Sequence, residues 1–154
     1  MTSFQFAALF ITVTTIALAW CRGGHPERLG AAAILIWVAT SVTTPDWLHD
    51  IVLGNVSVFE AALELVLLAV FLRMAMKGQR WWPFAATAVM TLSVMVYLAQ
   101  FLVAGLDRRA EISAHVGLTI ALNLTLLAGV FERWLAGEPP ASETAVWNRS
   151  RPAP

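Results

Sequence analysis

The sequence contains only one cysteine, Cys21, among its 154 residues. A single cysteine excludes an internal disulfide and any metal site that is built from several thiolates. Because Cys21 ends a long apolar run, we interpret it as a small buried apolar side chain rather than as a reactive thiol. The sequence therefore gives no indication of thiol redox chemistry.

Charged residues are also scarce, at 13% of the chain, and the formal net charge is +0 at pH 7. Only 10 Lys and Arg residues are present, so no nucleic-acid-binding surface is indicated and we expect no nucleic-acid partner. A soluble domain has about 25% charged and about 45–50% apolar residues. This chain is 58% apolar, with a mean hydropathy of +0.70, and a chain this short must expose much of its surface. Its composition therefore predicts a membrane protein.

Residue patterns of common catalytic and cofactor sites are absent as well. The sequence has no glycine-rich phosphate-binding loop and no Ser-His-Asp spacing of a hydrolase. Haem ligation by two histidines needs a pair inside the membrane, and His115 is alone in a long apolar run. We therefore expect no enzymatic activity, no cofactor and no resident metal.

What the sequence does contain is a series of apolar runs, at residues 4–21, 29–44, 57–77, 81–105 and 112–135. A helix over 57–77 would span ~30 Å, the thickness of the hydrocarbon core of a bilayer. The first run lacks the basic residues with which a signal peptide begins, so we interpret it as a permanent membrane helix. The segment 46–54 predicts a short amphipathic helix at the interface, anchored by Trp47. We thus predict an all-α, polytopic membrane protein with five transmembrane helices and one interfacial helix.

The prolines and the basic residues predict the boundaries and the orientation of this protein. Residues 1–136 form the transmembrane domain, and residues 137–154, with four prolines and no apolar period, predict a flexible cytoplasmic tail. Two basic residues, Arg108 and Arg109, lie at one end of the predicted bundle. The other eight lie at the opposite end or in the tail: Arg22, Arg28, Arg73, Lys77, Arg80, Arg133, Arg149 and Arg151. By the positive-inside rule, the C-terminus is cytoplasmic and the N-terminus lies outside.

Two carboxylates, Glu60 and Glu64, are the least expected residues within the apolar runs. Their spacing places both on one face of a helix. Because a carboxylate inside a membrane costs a few kcal/mol, this face should meet protein or water rather than lipid. In the predicted orientation, polar residues of the neighbouring helices lie in the same outer half. We therefore predict an outward-facing polar pocket, whose candidate residues are Glu60, Glu64, Tyr97, Gln100, His115 and Asn123.

Two interpretations of this pocket remain open. It could be a proton or cation site, in which His115 shares a proton with Glu64 or forms an ion pair with it. Alternatively, the same side chains could only join helices through hydrogen bonds, each worth ~1 kcal/mol. Glu60, near a helix end, could also extend to the interface, so Glu64 is the better candidate for a functional role.

Two short motifs resemble those of a family of small multi-pass membrane proteins from alphaproteobacteria. They are Pro26-Glu27-Arg28-Leu29-Gly30-Ala31 and Arg80-Trp81-Trp82-Pro83, and the resemblance covers residues 27–135. It implies a bacterial inner-membrane location, with an acid early in helix 57–77 and a basic rim before the paired tryptophans. This chain differs in having two acids there and a longer tail. No activity is assigned to the family, so the resemblance implies a location and no chemistry.

From these observations we expect a non-enzymatic subunit or assembly component of a larger membrane complex. Its partners would be membrane lipid and either other membrane subunits or further copies of the same chain. The alternative is a small proton- or cation-coupled transporter that uses Glu64 and His115 in the outward-facing pocket.

Overall fold

A computed structural model of the chain describes residues 3–53, 56–77, 80–103 and 108–137. Within these residues the protein is almost entirely helical, so the predicted all-α class is confirmed. The elements, in chain order, are α1 (Ser3–Arg22), α2 (His25–Thr43), α3 (Asp46–His49), β1 (Val52–Leu53), β2 (Val56–Ser57), α4 (Val58–Lys77), α5 (Trp82–Leu102) and α6 (Arg108–Leu135). The predicted tail, from residue 138 onward, lies outside the described residues.

The five long helices close into a ring. Each packs on the next in the order α1, α2, α4, α5, α6, and α6 returns to α1. Consecutive long helices are antiparallel, so the bundle has two distinct ends. The connections are short except between α2 and α4, which are joined through α3 and the two strands. We call them the His115 end, where α1, α4 and α6 begin, and the Glu27 end, where α2 and α5 begin.

Helix α2 begins at His25, four residues before the apolar run 29–44 from which the sequence predicted a helix. Pro26 sits in the first turn, where its missing N–H costs nothing. The Glu27 carboxylate turns back and accepts the backbone N–H of Gly24 at 2.7 Å. The resulting helix has 19 residues and a length of ~29 Å, longer than the apolar run 29–44 alone.

A short helix follows residue 45, as the sequence predicted, but it is shorter than the predicted 46–54. It is α3, which ends at His49, and the chain then forms an antiparallel hairpin in which Val52 pairs with Ser57 and Leu53 with Val56. The interfacial position of this helix stays a prediction. Valines favour strands, and the Gly-Asn dipeptide between the paired residues is a hairpin sequence that our interpretation overlooked. A second boundary differs at α6, which begins at Arg108, four residues before the apolar run 112–135.

The core of the bundle is organised around Trp82 at the start of α5. Its side chain is fully buried and meets the Phe71 ring edge-on, with the ring centroids 6.3 Å apart. The indole lies between two glycines, Gly30 on α2 and Gly129 on α6. A Cβ at Gly30 would lie 2.9 Å from the indole, and one at Gly129 would overlap it. The close approach of three helices to Trp82 therefore depends on these two glycines.

The polarity of the bundle is reversed relative to a soluble protein. Large apolar residues are exposed on every long helix, for example Phe10, Ile36, Val66, Leu98 and Phe131. The interior, in contrast, holds Glu27, Glu64, Gln100 and Asn123, each at most 5% exposed. This distribution is what a bundle surrounded by lipid requires.

Two of the described helices are long and apolar enough to cross a membrane, Trp82–Leu102 and Ile112–Leu135. In the apolar 18-residue stretch of each helix, only 22% and 28% is buried inside the bundle. The core helix of a soluble protein would be mostly buried. The apolar helix Phe6–Arg22 is shorter. Length and composition thus support a membrane protein with two spans, and the five-span topology stays a prediction.

Candidate functional site

Glu64 and His115 meet inside the bundle at the His115 end. Glu64 lies in the second turn of α4 and His115 in the second turn of α6. Oε1 of Glu64 is 3.7 Å from Nδ1 of His115, which is within ion-pair range but longer than a hydrogen bond. The Glu64 side chain is 7% exposed and the His115 side chain 20% exposed. The structure therefore brings together the acid and the imidazole that the sequence selected.

Helix α5 holds the other side of the imidazole. The amide nitrogen of Gln100 is 3.4 Å from Nε2 of His115, and the Tyr97 ring lies against the imidazole with centroids 4.5 Å apart. When the Gln100 amide donates to Nε2, the proton of a neutral His115 ring is on Nδ1 and faces Glu64. Four of the six candidate residues thus form one contact group around His115.

Two oxygen atoms of this group have no hydrogen-bond partner among the described residues. They are Oε2 of Glu64 and Oε1 of Gln100, and both atoms are buried. A cavity of about 10 Å³, which Ser93 and Thr119 also line, adjoins Glu64. This is close to the minimum space that a single water needs, and Oε2 of Glu64 is an acceptor that such a water would use. The group can therefore accept a proton or bind a water molecule.

A transition-metal site is less well matched. Within the described ranges, no three His, Cys, Asp or Glu side chains lie close enough together to hold a metal ion. Besides the Glu64 carboxylate and the His115 imidazole, the contact group contains the Gln100 amide and the Tyr97 phenol. These two groups are weaker metal ligands. The chemistry that this arrangement favours is proton sharing.

Asn123 is separate from this group, two helical turns further along α6. Its amide nitrogen donates to Oγ1 of Thr12 on α1 at 3.0 Å and to the Thr119 carbonyl at 2.8 Å. The Thr12 hydroxyl in turn donates to the Ala8 carbonyl at 2.9 Å. These contacts join α6 to α1, so Asn123 has the helix-joining role that was the second interpretation of the pocket.

Glu60 is also separate, because it points out of the bundle. Its carboxylate is 3.4 Å from Nδ1 of His49 on α3, and its side chain is 48% exposed. The His49 ring packs edge-on against Phe59, with centroids 5.2 Å apart. Glu60 therefore anchors the short α3 helix to α4 and does not belong to the interior contact group.

The sequence analysis missed a second buried acid, Glu27, at the opposite end of the bundle. Its side chain is fully buried. One carboxylate oxygen accepts the Gly24 N–H, and Nη1 of Arg133 lies 3.7 Å from the same oxygen. The other oxygen accepts the indole N–H of Trp82 at 3.2 Å. Glu27 thus joins α2, α5 and α6, and it brings the two motifs that carried the family resemblance into direct contact.

An apolar layer separates the two polar ends. It consists of buried core residues that include Ile34, Phe71, Trp82 and Leu126. Along α6, His115 and Arg133 are ~27 Å apart. The Glu64–His115 group and the Glu27–Arg133 pair are therefore two distinct sites.

No known protein-family profile matches this chain, and neither a curated protein nor a solved structure is significantly similar to it. The resemblance to the alphaproteobacterial family therefore stays a prediction.

Proposed function

We propose that the chain is a five-span protein of the bacterial inner membrane and acts as a non-enzymatic component of a larger membrane complex. Helices α1, α2 and α4 have 19 to 20 residues each, long enough to span ~29–30 Å beside α5 and α6. In α4, the buried Glu64 faces the interior, while Glu60 and Lys77 lie in its first and last turns. These positions allow a charged helix to cross lipid.

The proposed orientation has the His115 end outside and the Glu27 end in the cytoplasm. It is supported by the basic residues Arg22, Arg73, Lys77, Arg80 and Arg133, all of which the described structure groups at or near the Glu27 end. Positive charge of this kind is typical of cytoplasmic ends.

The observation that carries the proposed role is the contrast between the interior and the exterior. Inside, the buried acids contact groups on neighbouring helices, and an apolar layer separates the two polar ends. Outside, all five long helices present large apolar side chains. A bundle whose helices are held together by polar contacts inside, and whose outer surface is apolar on every helix, is suited to lateral association within the membrane.

The test is native purification in a mild detergent, followed by mass measurement of the intact particle. We expect a stoichiometric companion, either another membrane protein or further copies of the chain. Replacing an exposed residue such as Val66 with Trp should release the companion if that face is used, without unfolding the bundle. A particle that contains one copy of the chain and nothing else would overturn the proposal.

One observation favours a second function, a proton-coupled transporter. The buried Glu64 lies next to the partly buried His115, and an unpartnered Glu64 oxygen and a water-sized cavity adjoin the pair. In vesicles with an imposed pH gradient, Glu64→Gln should then abolish proton flux, and Glu64→Asp should retain part of it. The matched control is Glu60→Gln, which removes the exposed acid one turn away. Flux that Glu64→Gln leaves unchanged would reject this function.

A further inference from the structure

A groove of about 500 Å³ opens at the Glu27 end, where α4 ends and α2 and α5 begin. One part of its wall is basic and is formed by His25, Arg73, Lys77 and Arg80. The other part is apolar, with Leu29 on α2 and Val70 on α4 among its residues. No carboxylate is among the described residues that line it.

The positive charge in this groove is only partly neutralised. Arg73 and Lys77 are one turn apart on α4, so they lie on one face of the helix. Within the described part of the chain, no carboxylate lies within 4.0 Å of either residue, whereas Arg80 has Glu132 at 4.0 Å. The groove therefore offers at least two adjacent cations to an anionic ligand.

The basic groove continues into an apolar one. A second groove of about 350 Å³ follows the seam between α2 and α4, and it shares Leu29 and Val70 with the first. Its other described lining residues, which include Ala33, Leu63 and Val66, are all apolar. From Lys77 to Leu63 the two grooves together extend ~21 Å along α4, about the depth of one leaflet with its headgroups.

We propose that this continuous groove binds one anionic phospholipid. The phosphate lies among Arg73, Lys77 and Arg80, and an acyl chain follows the seam between α2 and α4 past Val66. Only an amphiphile uses both parts, because a free phosphate would occupy the basic part and leave the apolar groove empty. The inference rests on the membrane placement proposed above.

The experiment measures lipid binding to the intact protein in detergent micelles by native mass spectrometry. Phosphatidylglycerol is compared with phosphatidylcholine of the same acyl chains, and inorganic phosphate is the third probe. We expect phosphatidylglycerol to bind more tightly than the other two. Lys77→Gln should weaken its binding about fivefold, the effect of one cation near a lipid headgroup. The matched control is Arg22→Gln, at the same end of the bundle but on α1 and outside the groove.

A second pair of variants tests the apolar part without changing any charge. Val66→Trp fills the seam between α2 and α4, and Leu65→Trp, one residue away, places the same ring on another face. Both positions are exposed, so the fold should tolerate either change. We expect only Val66→Trp to weaken phosphatidylglycerol binding.

Three outcomes would overturn this inference. Equal binding of the two lipids would remove the headgroup preference, and equal losses in Lys77→Gln and Arg22→Gln would indicate diffuse charge attraction. Phosphate binding as tight as that of phosphatidylglycerol, with no effect of Val66→Trp, would indicate an anion site alone. Failure of the membrane placement is distinguishable, because the protein would then remain in the aqueous phase before any lipid is added.

Discussion

The contact between Gly129 and Trp82 yields the sharpest test of the fold. In Gly129→Ala, the added methyl group would lie 2.5 Å from Cδ1 and 2.6 Å from Cγ of the fully buried indole. Trp82 cannot move away easily, because Gly30 and Phe71 pack against it on other sides. Forcing an extra methyl into such a core costs ~1–3 kcal/mol.

The same helix provides the control. Gly117, also on α6, has no atom within 4 Å of the position that a Cβ would take. Both substitutions gain the higher helix propensity of alanine, ~0.5–1 kcal/mol, so this gain cancels in the comparison. Gly129→Ala should therefore be less stable than Gly117→Ala by ~1–3 kcal/mol, the overlap cost alone.

The assay is reversible unfolding in mixed micelles of mild detergent and sodium dodecyl sulfate, followed by tryptophan fluorescence. A double-mutant cycle separates the overlap from other effects. In a Trp82→Leu background the indole is gone, so Gly129→Ala should lose most of its cost. Equal stability of Gly129→Ala and Gly117→Ala, or a cost that persists in the Trp82→Leu background, would refute this packing of α5 against α6.

Four further substitutions test the polar contacts in the same unfolding assay. Arg133→Gln leaves the fully buried Glu27 without its cation and should cost ~3 kcal/mol. Glu27→Gln should cost less than Arg133→Gln, ~1–2 kcal/mol, because the Arg133 that it leaves unpaired is 16% exposed and near a helix end, where it can reach water. A larger cost for Glu27→Gln than for Arg133→Gln would contradict the burial of Glu27. Asn123→Leu should cost ~0.6–1 kcal/mol, and a larger loss would mean that Asn123 does more than bond to Thr12 and its own helix. Glu60→Gln should change stability by at most ~0.5 kcal/mol, since its pair with His49 is half exposed, and a loss above 1 kcal/mol would argue against that exposure.

Local patterns in the sequence predicted the long helices and four of the six residues of the polar pocket, which form the contact group around His115. Apolar runs gave the type and approximate position of every long helix. The i, i+4 spacing of the two acids placed them on one face of α4, and the depth argument placed His115 near Glu64, where the structure has it. The same argument could not show that Glu64 faces the interior of the bundle while Glu60 faces outward. Glu60 is drawn outward by His49, which reaches it from α3.

The Glu27 site could not be predicted in this way, because its partners are distant in sequence. Trp82 is 55 residues away from Glu27, and Arg133 is further still. Gly23, Gly24 and Pro26 are typical of a turn, so the local sequence did not indicate that a helix begins at His25. The glycines at positions 30 and 129 carry no local signal for the tryptophan that they accommodate.

In the proposed arrangement, lipid surrounds a five-span bundle whose Glu27 end is cytoplasmic. The only cysteine, Cys21, is exposed, so the prediction that it is buried is wrong. It lies at the Glu27 end and therefore reports on the topology directly. A membrane-impermeant maleimide should label Cys21 in inverted vesicles and not in sealed spheroplasts. The opposite pattern is expected for Val103→Cys in a Cys21→Ser background, because Val103 follows α5 at the His115 end. Labelling of Cys21 in sealed spheroplasts, or release of the protein from membranes by alkaline carbonate, would contradict this arrangement.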